Sequence, residues 1–261
     1  MENEFQNLLP EDSKKIERIN RLTQKYWNLL TKNPEYAKML CKSMIQEIFN
    51  PFFIPREIQG SENIQEERSH IFVANHSSVR NEHKILFNNT HSIPYYILFL
   101  YEYLERKTGK TVHFLVTDPK DETYREIIKN LEYILIPEAN GNGQKMSEDT
   151  RTEFNNEIKS YLENGDSVVL FPEGHTFGKE NIGPFQKGLY HLSQQNPDVP
   201  IIPLRVDGFD EPYTKIKLTI GSPEKLSPAN GKKEICKIIE AFRQKIFVEQ
   251  LGLIPVENRN Q

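Results

Sequence analysis

Apolar residues recur at helical spacing through the first fifty residues of the chain. In the stretch PEDSKKIERINRLTQKYWNLL they stand at Ile16, Ile19, Leu22, Trp27 and Leu30. Such spacing places one apolar stripe along a helix. The stretch NPEYAKMLCKSMIQEIF repeats the pattern after Asn33 and Pro34, residue types that suit a helix cap and a first helical position. The pattern predicts two amphipathic helices, which form an N-terminal helical layer over residues 1–50.

From residue 51 onward, short runs of β-branched and aromatic residues alternate with stretches of helix length. The candidate strands are FFIPREI, HIFVAN, TVHFLVT, YILIP, SVVLFP, PIIPLRV and KIKLTIG. The candidate helices are IPYYILFLYEYLERK, KDETYREIIKNL, SEDTRTEFNNEIKSYLENG, FQKGLYHLSQQ and KKEICKIIEAFRQKIFVEQLG. Strands joined by helix-length connections predict an α/β domain over residues 51–261, with a mostly parallel central sheet flanked by helices.

Composition and charge narrow the classes of partner and compartment. The 261 residues are 37% hydrophobic and 27% charged, which indicates a globular chain long enough to bury a full core. A net charge of −4 gives no reason to expect nucleic acid as a partner. Two cysteines far apart, Cys41 and Cys236, are typical of a reducing compartment.

The sequence patterns of targeting and of membrane spans are consistent with a reducing compartment. The stretch MENEFQNLLPEDSKK lacks the charged and then apolar layout of a signal peptide. The longest apolar run, IPYYILFLYEYL, is too short to span a bilayer and contains Glu102. We therefore expect a cytoplasmic protein, whose membrane contact, if it has one, is peripheral on the inner face.

Two candidate strands end in turns that carry chemically active residues, and ligands of such sheets bind at the carboxyl ends of the strands. His76 follows HIFVAN, and a neutral imidazole there can take a proton from a hydroxyl or amine that attacks an acyl carbon. A carboxylate beside it would hold its tautomer and stabilise the imidazolium. After SVVLF, Pro172 and Gly174 can shape a tight turn in which Glu173 hydrogen-bonds an acceptor hydroxyl.

The histidines of the chain do not form a metal-binding pattern. His76, His83 and His91 have no recognisable ligand spacing, and no cysteine pair accompanies them. We therefore predict neither a metal site nor another cofactor. His175 lies in the second turn and is a candidate for contact with the acceptor.

Four ordered blocks between Gln59 and Gly252 carry a family resemblance. They are QGSENIQEERSHIFVANHSS, YLENGDSVVLFPEG, GPFQKGLYHLSQQNPDVPIIPLRVDG and LTIGSPEKL. They resemble the Asn-His-x-Ser turn, the Phe-Pro-Glu-Gly turn, the Val-Pro-Ile-(Val/Ile)-Pro motif and the closing strand of one family. That family is the glycerolipid acyltransferases of the bacterial 1-acylglycerol-3-phosphate acyltransferase (PlsC-like) type. Besides those already given a role, the matching motif residues are Asn75, Ser77, Ser78, Phe171, Pro172, Lys187, Pro200 and Pro203.

The resemblance implies transfer of an acyl chain from acyl-CoA or acyl carrier protein to a hydroxyl, by default that of lysophosphatidic acid or glycerol-3-phosphate. It implies no covalent acyl-enzyme, no metal and no cofactor. His76 would be the general base. Glu173, Gly174, His175 and Thr176 would lie at the acceptor.

One departure from the family affects the catalytic pair. The position of the motif's aspartate holds Asn81, and Glu82 follows it. Asn81 can hydrogen-bond the ring of His76 but cannot stabilise an imidazolium by charge. Replacing such a carboxylate by an amide can cost about 10⁴ in rate where the amide enforces the wrong tautomer. Glu82 can replace the aspartate if the turn is re-spaced, and HKILFNNTHS does delay the next helix to about Ile93. The alternatives are a shifted pair or an acyl-binding module that has lost catalysis.

A second departure affects the acceptor. Glu138 and Thr176 stand where the family commonly carries arginines, and arginine suits phosphate because its planar fork donates two hydrogen bonds. Lys179 and Lys187 can supply charge there, or they are solvated surface residues. A non-phosphorylated alcohol, sugar or amine is therefore an alternative acceptor.

The run IPYYILFLYEYL also has two interpretations. Tyr95, Phe99 and Tyr103 line an acyl groove or rest on a membrane interface, or the segment is a core helix packed on the sheet. An unrelated parallel α/β protein is a third reading of the whole chain, but it leaves the four blocks unexplained.

Overall fold

The computed structural model describes most of the chain from residue 36 onward, together with separate helical positions between 14 and 32. The described residues are 36–49, 56–76, 84–86, 92–117, 132–136, 147–174, 177, 180–207 and 216–256. The predicted helix KDETYREIIKNL lies outside them. The division of the chain at residue 50 stays a prediction.

The described α-helices fall where the helical periodicity predicts them. They are α1 (Ala37–Ile48), α2 (Tyr95–Thr108), α3 (Glu148–Glu163), α4 (Gly188–Gln195) and α5 (Lys232–Phe242). α3 shows why such a helix begins where it does. The hydroxyl of Ser147 accepts the backbone N–H of Thr150 at 3.1 Å, and Glu148 and Asp149 follow in the first turn, where the helix dipole favours acids.

The described strands form a seven-stranded sheet in the order β1-β10-β9-β2-β7-β5-β6. Its members are β1 (Arg56–Gln59), β2 (Ile71–Ala74), β5 (Val112–Thr117), β6 (Tyr133–Ile136), β7 (Ser167–Leu170), β9 (Ile201–Asp207) and β10 (Ile216–Ile220). β2 is parallel to both β7 and β9, and β5 is parallel to both β6 and β7. The predicted α/β fold with a mostly parallel sheet is confirmed.

Two short strand pairs were absent from the prediction. β3 (Lys84–Leu86) and β4 (Ser92–Pro94) form an antiparallel pair, in the stretch that delays α2. β8 (Asn181–Ile182) pairs in parallel with β11 (Ile254–Pro255). Runs of two or three residues are too short to show a period, so sequence periodicity cannot identify them.

The main core lies where apolar side chains of the central strands meet α3, α4 and α5. Every residue of β2 and of β7 is buried, because helices cover a parallel sheet on its faces. In α2, Phe99 and Tyr103 are buried as well. The interpretation of that run as a core helix therefore holds for these two residues.

The prediction of one continuous α-helix from residue 232 to residue 252 is wrong in its second half. α5 ends at Phe242, and Arg243–Gln250 forms a π-helix. The wider π turn brings residues five apart onto one face. It buries both Phe242 and Phe247, whose rings meet edge to face at 6.1 Å. A periodicity argument that assumes 3.6 residues per turn cannot anticipate this change.

The described residues fall into two compact units. One contains α1, β3, β4 and the first part of α2. The other contains the central strands β2, β5, β6, β7 and β9 together with α3, α4, α5 and the π-helix. In the part of the chain that the structure describes, no helix is long and apolar enough to cross a membrane.

Candidate active site

The two polar turns come together because the strands before them are neighbours. β2 and β7 are adjacent and parallel, with Val73 opposite Leu170. Their carboxyl ends therefore lie at the same edge of the sheet, and the residues that follow share that edge. One turn begins with Asn75 and His76, and the other is Phe171–Gly174.

Asn75 joins the first turn to β9, the other neighbour of β2 in the sheet. The Asn75 side chain is buried; its Oδ1 accepts the backbone N–H of Val206 at 2.9 Å, and its Nδ2 donates to the carbonyl of Val206 at 3.4 Å. An amide can do both, since it carries one acceptor and two donors. Asn75 thus continues the pairing of β2 with β9 by one side chain, and it sets the position from which the chain enters His76.

Glu173 connects two backbone segments through its carboxylate. Its Oε1 accepts the backbone N–H of His76 at 2.7 Å, and its Oε2 accepts the backbone N–H of Gly183 at 2.7 Å. Only 1% of Glu173 is exposed. Burial raises the pKa of Glu173 to about 7, against the two backbone N–H bonds and the positive charge of Arg243, which lower it. The carboxyl is therefore poised near neutral pH, and both of its oxygens are engaged by the protein.

The turn that carries Glu173 needs glycine at its end. The N–H of Gly174 donates to the carbonyl of Phe171 at 3.2 Å, and Gly174 has φ of 70°, a conformation that glycine adopts without steric cost. The carbonyl of Pro172 accepts the N–H of Gln186 at 2.7 Å. This bond attaches the turn to the loop that leads into α4.

His76 contacts the ring of Phe171 in the second turn and the backbone of Phe177 in the loop after it. Its ring stacks on Phe171 with centroids 4.7 Å apart and planes inclined by 30°. Its carbonyl accepts the backbone N–H of Phe177 at 3.0 Å. The ring of Phe177 in turn lies directly over Gly183, where a Cβ would come within 2.0 Å of it. The backbone of His76 is therefore held from two sides, by Glu173 and by Phe177.

The amide groups around His76 are already engaged. The N–H groups of His76 and Gly183 donate to Glu173, that of Gly174 donates to Phe171, and that of Phe177 donates to His76. A backbone N–H that stabilises an oxyanion must be available to the substrate. All four of these N–H groups donate to protein acceptors in this arrangement, so none of them is available for that role.

An apolar cavity of about 600 Å³ opens beside the second turn. It lies among α3, α4 and the ends of β5, β6 and β7. Its apolar walls are formed by Leu115, Ile136, Phe154, Ile158, Leu170, Phe171, Leu189 and Leu192. Phe171 belongs both to this wall and to the stack on His76, so one side chain contacts both the cavity and the imidazole. This cavity is a better candidate for an acyl groove than the surface of α2, because Phe99 and Tyr103 of α2 are buried.

Three other predicted motif residues lie in the described part of the chain, and the rest lie outside it. Lys187 is exposed and immediately precedes α4. The carbonyl of Pro200 accepts the N–H of Ile71 at 3.0 Å, and Pro203 lies opposite Val73 in β9. The residues outside the described part of the chain are Ser77, Ser78, Asn81, Glu82, Glu138, His175, Thr176 and Lys179. Their assigned roles stay predictions.

Sequence reasoning missed two contributors to this arrangement. Gly183 belongs to the block GPFQKG, which was noted without a role for the glycine. Arg243 belongs to none of the four blocks, yet its charge acts on Glu173. Gly183 had a local signal, a Gly-Pro pair, which is typical of a turn or loop. Arg243 had none, because only the fold brings it to the turn.

A different histidine–carboxylate pair lies away from this edge. Nε2 of His113 is 3.2 Å from Oδ2 of Asp166, Nδ1 is 3.2 Å from the carbonyl of Glu132, and the ring stacks on Tyr161 at 3.9 Å. His113 is buried and both of its nitrogens have protein partners, so it cannot reach a substrate. Among the described residues, no three His, Cys, Asp or Glu side chains converge as metal ligands.

The described site thus combines a histidine with a nearby apolar cavity at the carboxyl edge of a parallel sheet. The Acyltransferase family model matches residues 55–207, more than half of the chain and the part that holds both turns. The chain therefore belongs to the acyltransferase family, and it is an acyltransferase.

A solved structure has the same fold. The crystal structure of the 1-acyl-sn-glycerophosphate (LPA) acyltransferase PlsC from Thermotoga maritima is similar to this chain with a TM-score of 0.50 and 18% sequence identity, over 91% of this chain and 98% of that one. At this identity the similarity establishes the fold. No curated protein sequence matches the chain.

Proposed function

We propose that this acyltransferase moves an acyl chain from the thioester of acyl-CoA or acyl carrier protein to a hydroxyl of lysophosphatidic acid or glycerol-3-phosphate. His76 serves as the general base, with Glu82 or Asn81 as its orienting partner. The proposal for the acceptor is supported by the Thermotoga protein of the same fold, which is a 1-acyl-sn-glycerophosphate acyltransferase.

The observation that carries the proposal is that Phe171 contacts both the cavity and His76. Its ring forms part of the wall of the 600 Å³ cavity and also stacks on His76 at 4.7 Å. A chain of methylene groups gains about 0.8 kcal/mol for each CH₂ removed from water, so an apolar cavity of this kind suits an acyl chain. A chain in the cavity would place its thioester carbonyl beside the imidazole.

The reaction then needs one proton transfer in each direction. The neutral imidazole of His76 takes the proton of the acceptor hydroxyl while its oxygen attacks the thioester carbon. When the tetrahedral intermediate collapses, the C–S bond breaks and the imidazolium returns the proton to the leaving thiolate. The products are the acyl ester and the free thiol, and no acyl-enzyme forms.

Glu173 is assigned to holding the turn rather than to direct contact with the reacting hydroxyl. Its two oxygens accept the N–H groups of His76 and Gly183, which supports a positioning role. Gly174, His175 and Thr176 remain the candidates for the acceptor side of the turn.

The experiment measures thiol release from palmitoyl-CoA and palmitoyl-carrier protein, with and without a panel of acceptors. The panel contains lysophosphatidic acid, glycerol-3-phosphate and non-phosphorylated alcohols, sugars and amines. Wild type is compared with His76→Ala, Asn81→Asp and Glu82→Gln. Acceptor-dependent release that is lost in both His76→Ala and Glu82→Gln is the expected result.

The other outcomes are equally informative. Release with a non-phosphorylated acceptor alone would favour the alternative suggested by Glu138 and Thr176 in place of arginines. Release by Asn81→Asp but not by wild type would identify an acyl-binding module without turnover. Undiminished release by His76→Ala would refute the assignment of the base.

The assignment of the cavity has its own test. Leu192 of α4 lines the cavity and is buried, so Leu192→Trp should fill part of it. We expect lower kcat/KM for palmitoyl donors and little change for octanoyl donors, which serve as the control within the same variant. An equal loss for both chain lengths would argue against an acyl chain in this cavity.

A further inference from the structure

Arg243 is the first residue of the π-helix and is only 7% exposed. Its Nη1 donates to the carbonyl of Ile182 at 3.1 Å. Its Nε donates to Oε2 of Glu240 at 3.0 Å, and its Nη2 donates to the other oxygen of the same carboxylate. The guanidinium is thereby fixed between α5 and the segment that contains Gly183.

The carbonyl of Ile182 and the N–H of Gly183 belong to one peptide group. Arg243 binds the oxygen of that peptide, and Glu173 binds its N–H at 2.7 Å. The other oxygen of Glu173 binds the N–H of His76, also at 2.7 Å. A continuous chain of hydrogen bonds therefore runs from the guanidinium through one peptide group and one carboxylate to the backbone of His76. Bonds in such a series polarise and strengthen one another.

We propose that Arg243 is a positioning residue for acyl transfer, which acts through the Ile182–Gly183 peptide and Glu173 to hold His76 in place. Arg243 lies outside residues 55–207, the segment matched by the family model. The inference rests on the proposed function in one respect, namely that His76 is the base whose position matters.

The electrostatics point in the same direction as the geometry. Among the described residues, Arg243 is the charged side chain whose field acts on Glu173, and Glu240 in turn pairs with Arg243. Burial raises the pKa of Glu173 to about 7, and the charge of Arg243 opposes that rise. Without Arg243 the carboxyl would therefore hold its proton to a higher pH. A protonated carboxyl is a weaker acceptor for the N–H of His76, because a charged partner makes the stronger bond.

The sign of the expected pH effect follows. Activity that requires ionised Glu173 rises with pH as the carboxyl loses its proton. In Arg243→Met this acid limb of kcat/KM should move to higher pH by at least about half a pH unit, and activity at pH 6.5 should fall by about threefold, the factor by which half a pH unit changes the ionised fraction on that limb. Arg243→Lys keeps the charge and should restore most of the limb.

The matched control is Arg205. Its Nη1 donates to the carbonyl of Leu251, beyond the other end of the π-helix, and its charge is not among the influences on Glu173. Arg205→Met loses a guanidinium–carbonyl bond of the same kind. We expect it to lower thermal stability without moving the acid limb.

A spectroscopic readout makes the test independent of turnover. The full-length protein is titrated by infrared difference spectroscopy, and the protonated carboxyl band that disappears in Glu173→Gln is assigned to Glu173. The midpoint of that band should rise in Arg243→Met and remain at the wild-type value in Arg205→Met. If Arg243→Met fails to fold, Arg243→Gln is titrated in its place.

Two results would overturn the inference. One is an unchanged midpoint and acid limb after loss of Arg243. The other is an equal shift of the acid limb by Arg243→Met in a Glu173→Gln background, since an effect through Glu173 must vanish there. Full activity of His76→Ala would instead refute the proposed function, so the two failures are distinguishable.

Discussion

Replacing Gly183 with alanine should disrupt the active site without touching a side chain that takes part in the chemistry. Gly183 has no positive φ, so its backbone conformation accepts alanine. The obstacle is steric. A Cβ there would lie 2.0 Å from Cε2 and 2.2 Å from Cζ of Phe177, whereas carbon atoms in contact are about 3.5–4.0 Å apart.

Relief of that overlap requires a displacement of more than 1 Å by either the Phe177 ring or the Gly183 backbone. Both are bonded to the site: the N–H of Gly183 to Glu173 and the N–H of Phe177 to the carbonyl of His76. Insertion of a methyl group into a packed region costs about 1–3 kcal/mol. A misplacement of about 1 Å in a catalytic group can cost about 10²-fold in rate. We therefore expect a modest loss of stability and a large loss of kcat.

The assay compares the thermal midpoint and the kcat/KM of thiol release for Gly183→Ala and wild type. Gly188→Ala is the steric control for stability, because a Cβ at Gly188 would meet nothing within 4 Å. Gly188 begins α4, where alanine favours the helix by up to about 1 kcal/mol, so its midpoint should stay or rise. Wild-type kcat/KM in Gly183→Ala would refute the claim that this contact positions His76.

Three further outcomes follow from buried polar groups. His70 is 0% exposed. Burial and the charge of Arg68 lower its pKa to about 4, against a backbone hydrogen bond with Arg68 that raises it. Stability present above pH 6.5 should therefore fall between pH 6.5 and 4, by on the order of 3 kcal/mol. Urea unfolding at several pH values should show a shallower fall in His70→Leu, and equal slopes would contradict this account. Asn75→Ala leaves the buried N–H and C=O of Val206 without their bonds to the Asn75 side chain, so the free energy of unfolding should fall by about 1–3 kcal/mol, with lower kcat. An unchanged free energy of unfolding would show that these two bonds do not stabilise the fold. Glu173→Gln presents an amide NH₂ to one of two N–H donors, so one buried N–H loses its acceptor and the thermal midpoint above pH 8 should be lower than that of wild type. Glu163→Gln on the exposed end of α3 is the control and should leave the midpoint unchanged.

Much of the fold could be predicted because its signals are local. The alternation of buried strands with amphipathic helices identified the parallel α/β sheet. The turns after HIFVAN and SVVLF were placed together because parallel neighbouring strands end at one edge. The π-helix was missed for a local reason as well, since its start is indistinguishable from a continuing α-helix at the level of apolar spacing.

The roles within the site were harder to assign than its location. Sequence reasoning placed Glu173 at the acceptor, on the basis of its turn and the family motif. In the structure, both oxygens of Glu173 hold backbone N–H groups, one of which belongs to a residue ten positions away. The partner of a carboxylate depends on which segments pack against it, and no pattern near residue 173 contains that information.

Local order along the chain was therefore enough to predict the class of fold, the edge of the sheet at which both polar turns lie, and His76 as the residue to examine. Tertiary structure alone decided that Asn75 continues the sheet, that hydrogen bonds link Arg243 and Gly183 to His76 through Glu173, and that the apolar cavity lies against α3 and α4. The physical reason is the range of the interactions. Periodicity and turn formation depend on residues within a few positions of one another, whereas hydrogen bonds to buried carboxylates and the walls of a cavity join segments that only the folded chain brings together.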